Sequence, residues 1–160
     1  MRALLSARRL RGAPLAALAA AAALASACDP GISLRPRDWA HTGPYRWASA
    51  AEGLDLEMPE IVARTGAREL SAQLTVHNTS LSAVVVAGGR IDTGAGSFHG
   101  EAAAPGNEGY AVAPGETRRV SLRFRFERET GEILAEPVAL SVMLRTAAGP
   151  REITIPMRKE

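Results

Sequence analysis

Cys28 is the single cysteine of this 160-residue chain, and its thiol is the most reactive group in the sequence. Alone it offers no partner for an internal disulfide and no second ligand for a zinc site. The three histidines, His41, His77 and His99, are spread so that no spacing places two of them on one metal. A copper carrier needs His and Met ligands that converge. Met143 and His77 both have outward parity, but on strands expected in different sheets. Glu101, Asn107 and Glu108 supply oxygen atoms without the dense, regular Asp spacing of a calcium loop. No nucleophile elbow, phosphate loop or metalloprotease helix is present. A Ser-His-acid triad needs no sequence proximity, so an enzyme with an unrecognised site stays as one alternative, and a metal or small-ligand carrier as another. The residue inventory favours neither: the expectation is no enzyme, no cofactor and no metal.

The most distinctive charged pattern lies between Thr117 and Glu127. Val120, Leu122, Phe124 and Phe126 alternate with Arg119, Ser121, Arg123, Arg125 and Glu127, so an extended backbone puts three arginines on one face. In immunoglobulin-like order the next strand would offer neutral Ser71, Gln73, Thr75 and His77. Asp55 and Glu57 would lie one strand further, which leaves the arginines without a direct cross-strand acid. Such a face suits an acidic protein partner or anionic lipid headgroups, or else serves as a solvated face that keeps the domain soluble. Trp39 and Trp47, with Tyr45, form a second cluster in a Pro- and Gly-containing stretch. They either fold back to close an end of the core or present an aromatic patch to a partner.

The setting of Cys28 is more informative than the thiol. Arg2, Arg8, Arg9 and Arg11 precede an Ala- and Leu-rich run from Ala13 to Ala27, the charged and apolar regions of a secretory signal. The run is too short and Ala-rich for a lasting membrane span, which needs roughly 20 strongly apolar residues. Ala25 and Ala27 also fit the small positions of an ordinary signal cleavage site. With Leu24-Ala25-Ser26-Ala27 leading directly into Cys28, the segment resembles the lipobox of bacterial lipoproteins, although Ala25 stands where that family prefers Leu. The resemblance implies cleavage before Cys28, acylation of its thiol with diacylglycerol, and usually acylation of the new amino terminus. It implies a cell-membrane, lipid-anchored protein on the periplasmic or outer face. Asp29 resembles the signal that keeps enteric lipoproteins in the inner membrane.

Loss of residues 1–27 also changes the charge. The whole chain carries a formal net charge of +2, and that segment holds four Arg and no acid, so the remainder is −2. A nearly neutral product has no electrostatic basis for nucleic-acid binding, where clustered Lys and Arg neutralise phosphates. The prevalence of Arg over Lys names no partner.

The elements that would carry these residues have period two. Residues 28–52 read as a lipidated tether, broken by Gly31, Pro36, Gly43 and Pro44. From residue 53 to 160 alternation predicts strands at 54–58, 70–77, 84–86 with a continuation to 93, 120–126 and 138–144, and a short one at 153–157. Short pieces are expected at 97–99 and 110–112, with 101–109 a mobile loop. Gly88-Gly89 reads as a bulge or turn, and Ala113-Pro114-Gly115-Glu116 as a type II turn launching the arginine strand. No amphipathic helix is visible. The fold class is all-β, an antiparallel sandwich of about seven strands. His77-Asn78-Thr79-Ser80, the apolar strand after it and the Pro-Gly-Glu turn resemble immunoglobulin-like accessory domains of bacterial envelope proteins and the sandwich of water-stress domains. The expectation is a non-enzymatic binding or scaffolding domain with an envelope protein partner, touched through Arg119, Arg123, Arg125, Trp39 and Trp47.

Overall fold

Alternating side chains become buried and exposed faces because a strand turns successive residues to opposite sides. A computed structural model describes residues 31–106 and 108–160, and along 70–76 it buries Leu70, Ala72, Leu74 and Val76 while Ser71 and Gln73 face out. Cys28, Asp29 and Asn107 lie outside the described residues. In chain order the strands are β1 Gly31–Pro36, β2 Ala40–Gly43, β3 Arg46–Ala51, β4 Leu54–Pro59, β5 Ile61–Arg64 and β6 Glu69–Asn78. They continue as β7 Val84–Thr93, β8 Gly96–Ala102, β9 Tyr110–Val112 and β10 Thr117–Arg125. A single helical turn, α1 Thr130–Ile133, precedes β11 Val138–Thr146 and β12 Gly149–Lys159.

The pairing order is β2-β3-β4-β6-β10-β8-β7-β11-β12-β1-β5, with β9 added on β7. All pairs are antiparallel, so one sheet curls into two facing layers with the core between them. β8 turns the corner, pairing with β10 on one side and β7 on the other. Within this path β4-β6-β10-β8 and β7-β11-β12 reproduce the ABED and CFG orders of immunoglobulin sandwiches. The all-β, antiparallel class thus holds, but the sheet has twelve strands, not about seven.

Most of the excess comes from the expected tether. From residue 31 onward it is folded: β1 pairs with both β12 and β5, and the β2–β3 hairpin lies against β4. Ile32, Leu34 and Pro36 alternate into the core, a pattern too short to stand out beside Gly31 and Pro36. Pro36 falls at the strand's last residue and Pro44 in the hairpin turn, where a missing N–H costs least. β12 is also longer than expected, because Gly149-Pro150 opens the strand instead of making a turn. Val84 and Val86 are buried while Val85 is only half-buried, so that strand is not covered on both faces.

Gly88 and Gly89 adjoin the expected bulge, where Met143 opposes Gly88 but Leu144 opposes Val86, leaving Ala87 extra. The type II turn is also present: Gly115 has φ 74° and Glu116 N donates to Ala113 O at 3.0 Å. Asn78 is fully buried and holds this end together. Its Nδ2 donates to Ser82 O and Val112 O, and its Oδ1 accepts from Ser80 N and Ser80 Oγ. A buried amide with all these partners ties two loops without an unsatisfied polar group.

Candidate functional site

The type II turn starts β10 with a fixed parity, and nine residues of antiparallel pairing with β6 hold it. Arg119, Arg123 and Arg125 consequently point outward and are exposed, as their alternation requires. The register then lines up side chains across four strands. Arg119 lies beside Thr75, Thr75 beside Glu57, and Glu57 beside Ala48. In the next row Asp55 neighbours His77, whose Nδ1 is 2.8 Å from Thr117 Oγ1.

This outer face of β3-β4-β6-β10 is hollow. One depression of about 250 Å³ runs between Arg46, Glu57, Gln73, Tyr110 and Arg119, and a second of about 330 Å³ lies over Ala48, Ser49, Asp55 and His77. They share Glu57 and Thr75 and so form one groove. Small and hydroxyl side chains make its floor, and charges stand at its rim. Tyr110 closes one end, with its hydroxyl donating to Ala103 O at 2.7 Å.

The arginines differ in their surroundings from those elsewhere. Arg90, on the outer face of the opposite layer, is held by Asp92 at 2.9 Å and Glu152 at 2.7 Å. The Asp92 hydrogen bond raises the Arg90 pKa above its ordinary value, and the Ser97 hydroxyl followed by Arg90 lowers that of Asp92. Glu57 is taken by Arg46 at 2.8 Å. Among the described residues, Arg119, Arg123 and Arg125 make no ion pair.

Strand order on this side is as expected, with β6 next to β10 and the acids of β4 one strand beyond. The expected lack of directly opposed acids is corrected. Glu101 sits opposite Arg123 on β8, and Glu69 sits opposite Arg125 at the start of β6. β8 was hidden in the sequence because residues 96–102 include two glycines and little alternation. Glu101 therefore belongs to a paired strand and not to a mobile loop.

The tryptophans do not join the arginine row. Trp47 has the opposite parity on β3 from Arg46 and Ala48, and lies beneath the Arg35 guanidinium, 5.7 Å from the ring centroid. His41 meets it edge-on at 5.7 Å. Trp39 packs against the core, while Tyr45 is exposed. His77 and Met143 lie in different layers, and His99 is on β8 opposite Arg90. Among the described residues no three His, Cys, Asp or Glu side chains gather as a metal site. No helix among them is long and apolar enough to cross a membrane.

No protein-family model and no curated protein matches the sequence. A crystal structure of a functionally unknown protein from Listeria monocytogenes EGD-e is similar in fold, with a TM-score of 0.51 at 11% identity, covering 77% of this chain and 86% of that one. An X-ray structure of a Northeast Structural Genomics Consortium target gives a TM-score of 0.34 at 10% identity, over 82% and 86%. The first likeness supports the all-β fold and nothing more specific; the second carries no argument.

Proposed function

We propose that this protein is a lipid-anchored envelope protein whose sandwich is a non-enzymatic binding or scaffolding module. Acyl chains on Cys28 hold it at the membrane, and an envelope protein with an acidic, extended surface binds the groove on β3-β4-β6-β10. The observation that carries this reading is the contrast between layers. Arg90 is neutralised in place by two carboxylates, whereas Arg119 makes no ion pair among the described residues and lines an open groove, with Arg123 and Arg125 exposed further along the same strand face. Exposed guanidinium groups beside a floor of small side chains favour carboxylate recognition.

A photo-crosslinking residue at Thr75 tests this in cells, with one at Thr154 on the opposite layer as control. The expected result is a discrete adduct from Thr75 only, lost in the Arg119→Gln, Arg123→Gln double variant and reduced when Cys28→Ser releases the protein from the membrane. Gln is the better replacement than Glu, since Glu at 123 would face Glu101 directly. The same adducts from both positions, or none from Thr75, would exclude the groove as the binding face.

A further inference from the structure

Cys28 stands three residues before Gly31, the first residue of β1. Consecutive Cα atoms are 3.8 Å apart, so Gly31 stays within about 11 Å of the cysteine whatever path residues 29 and 30 take. A free tether of residues 28–52 would have an end-to-end distance of roughly 25–30 Å and would let the domain turn in any direction. Pairing of β1 with β12 and β5 removes that freedom.

We propose that the end of the sandwich around Gly31 is a membrane-seating surface that rests on phospholipid headgroups. The proposal depends on the reading of Cys28 as the acylated residue. It goes beyond that reading by assigning the face that meets the bilayer and the orientation of the groove.

The surface is defined by hydrogen bonds that gather separate parts of the chain. Gly31 pairs with Arg64 at the end of β5. Gly131 N donates to Thr65 O at 2.9 Å, and Thr130 N to Ala67 O at 2.7 Å, which docks α1 onto the turn after β5. Phe126 N donates to Arg68 O at 2.8 Å, and Arg125 lies opposite Glu69 in the strand register, so the end of β10 joins the same face. The side chains of Arg64, Arg68, Arg125 and Arg128 are exposed there. A guanidinium fork matches a headgroup phosphate. Glutamates are interspersed, among them Glu69 and Glu132, the latter 3.9 Å from Arg128. The anchor therefore sets the orientation, and the arginines supply local contacts without a strong net field.

The opposite end must then point away from the membrane. The ten residues of β6 run from Glu69 at the seat to Asn78 at the far tip, about 30 Å at the strand rise. Leu81, 98% exposed, projects from that tip. Thr75 and Arg119 lie six residues along β6 from the seat, roughly 20 Å up. The groove thus opens sideways, parallel to the bilayer, toward a partner that is itself held at the membrane.

The full acylated chain, reconstituted in vesicles of phosphatidylethanolamine and phosphatidylglycerol, tests the seating. Glu132→Cys and Leu81→Cys place one fluorophore each at the two ends, because the Cys28 thiol is blocked by its acyl group. A nitroxide on the lipid headgroup is expected to cause loss of emission at 132 and none at 81. Intact mass on the same samples reports the acyl chains separately. Acylated protein with equal quenching at both ends, or with quenching at 81 alone, overturns the seating and leaves the anchor standing. Protein without acyl mass on Cys28 overturns the anchor reading and the seating with it.

Discussion

A glycine in a strand interior is unfavourable unless something needs the space, and Phe124 needs it at Gly100. A Cβ built on Gly100 would lie 2.4–2.8 Å from three atoms of the Phe124 ring, which is itself completely buried. The ring has no room to retreat, because Gly89 on the neighbouring strand would place its own Cβ 3.1 Å from the same ring. Gly100→Ala is expected to lower stability by about 1–3 kcal/mol, the cost of overpacking a filled core, as a lower denaturant midpoint with unchanged slope. Acid sensitivity is also a residue-scale property. The Ser97 hydroxyl first, and Arg90 after it, hold the Asp92 carboxyl below its ordinary value of 3.8. The Ala113 N–H first, then Arg118, hold Glu116 below 4.5. With folded pKa values lower than unfolded ones, the folded state binds fewer protons in that window. Both contributions are therefore present at neutral pH and are lost as pH falls from the ordinary values through the lowered ones. Asp92→Asn should flatten part of this acid limb while lowering stability at neutral pH, read from denaturation midpoints across pH.

Hairpins show how elements are joined under local strain. β3 and β4 are connected by Glu52-Gly53, both at positive φ, 52° and 75°, the arrangement of a tight hairpin turn. Gly53 accepts this without cost, but a side chain such as Glu52 pays roughly 1 kcal/mol for the left-handed region. Asn is far better tolerated there. Glu52→Asn is expected to raise stability by about 0.5–1 kcal/mol, measured as a higher denaturant midpoint, with the register Ala51 opposite Leu54 preserved. A fall in stability would show that the Glu52 side chain contributes something the turn geometry does not reveal. The arginine strand illustrates the converse case, in which an element's local signals all agree. The turn residues and the alternation of β10 point the same way, and the strand's start and parity follow them, while Glu69 and Glu101 stand opposite Arg125 and Arg123.

At the level of the whole molecule the sheet is nearly continuous, and its integrity depends on the segment that looks least like a domain. Leu34 is completely buried and Ile32 nearly so, while β1 covers β12 and β3 covers β4. A chain cut at residue 53 would lose both side chains from the core, about 1.5–3 kcal/mol each, and would expose two strand edges. Set against a typical stability of 5–15 kcal/mol, that loss is large. Residues 53–160 alone are expected to aggregate or to melt well below residues 31–160, as seen by thermal unfolding and size-exclusion chromatography. Equal stability of the two would mean that β1, β2 and β3 are adornments of an autonomous core.

The sequence by itself determined whatever rests on local alternation and turn chemistry: the all-β class, the principal strands, the outward arginines and the Pro114-Gly115 turn. These are properties of a few consecutive residues, since parity along a strand needs no knowledge of the neighbour. The tertiary structure decided what depends on residues far apart in the chain. It made β1 a strand by giving it β5 and β12 to pair with, although Gly31 and Pro36 frame it like a linker. It turned residues 96–102 into the corner strand that sets Glu101 opposite Arg123, and it packed Trp39 against the core and Trp47 under Arg35. Hydrogen-bond partners and core vacancies are supplied by distant segments, so a short strand with weak alternation becomes recognisable only once the sheet around it is complete.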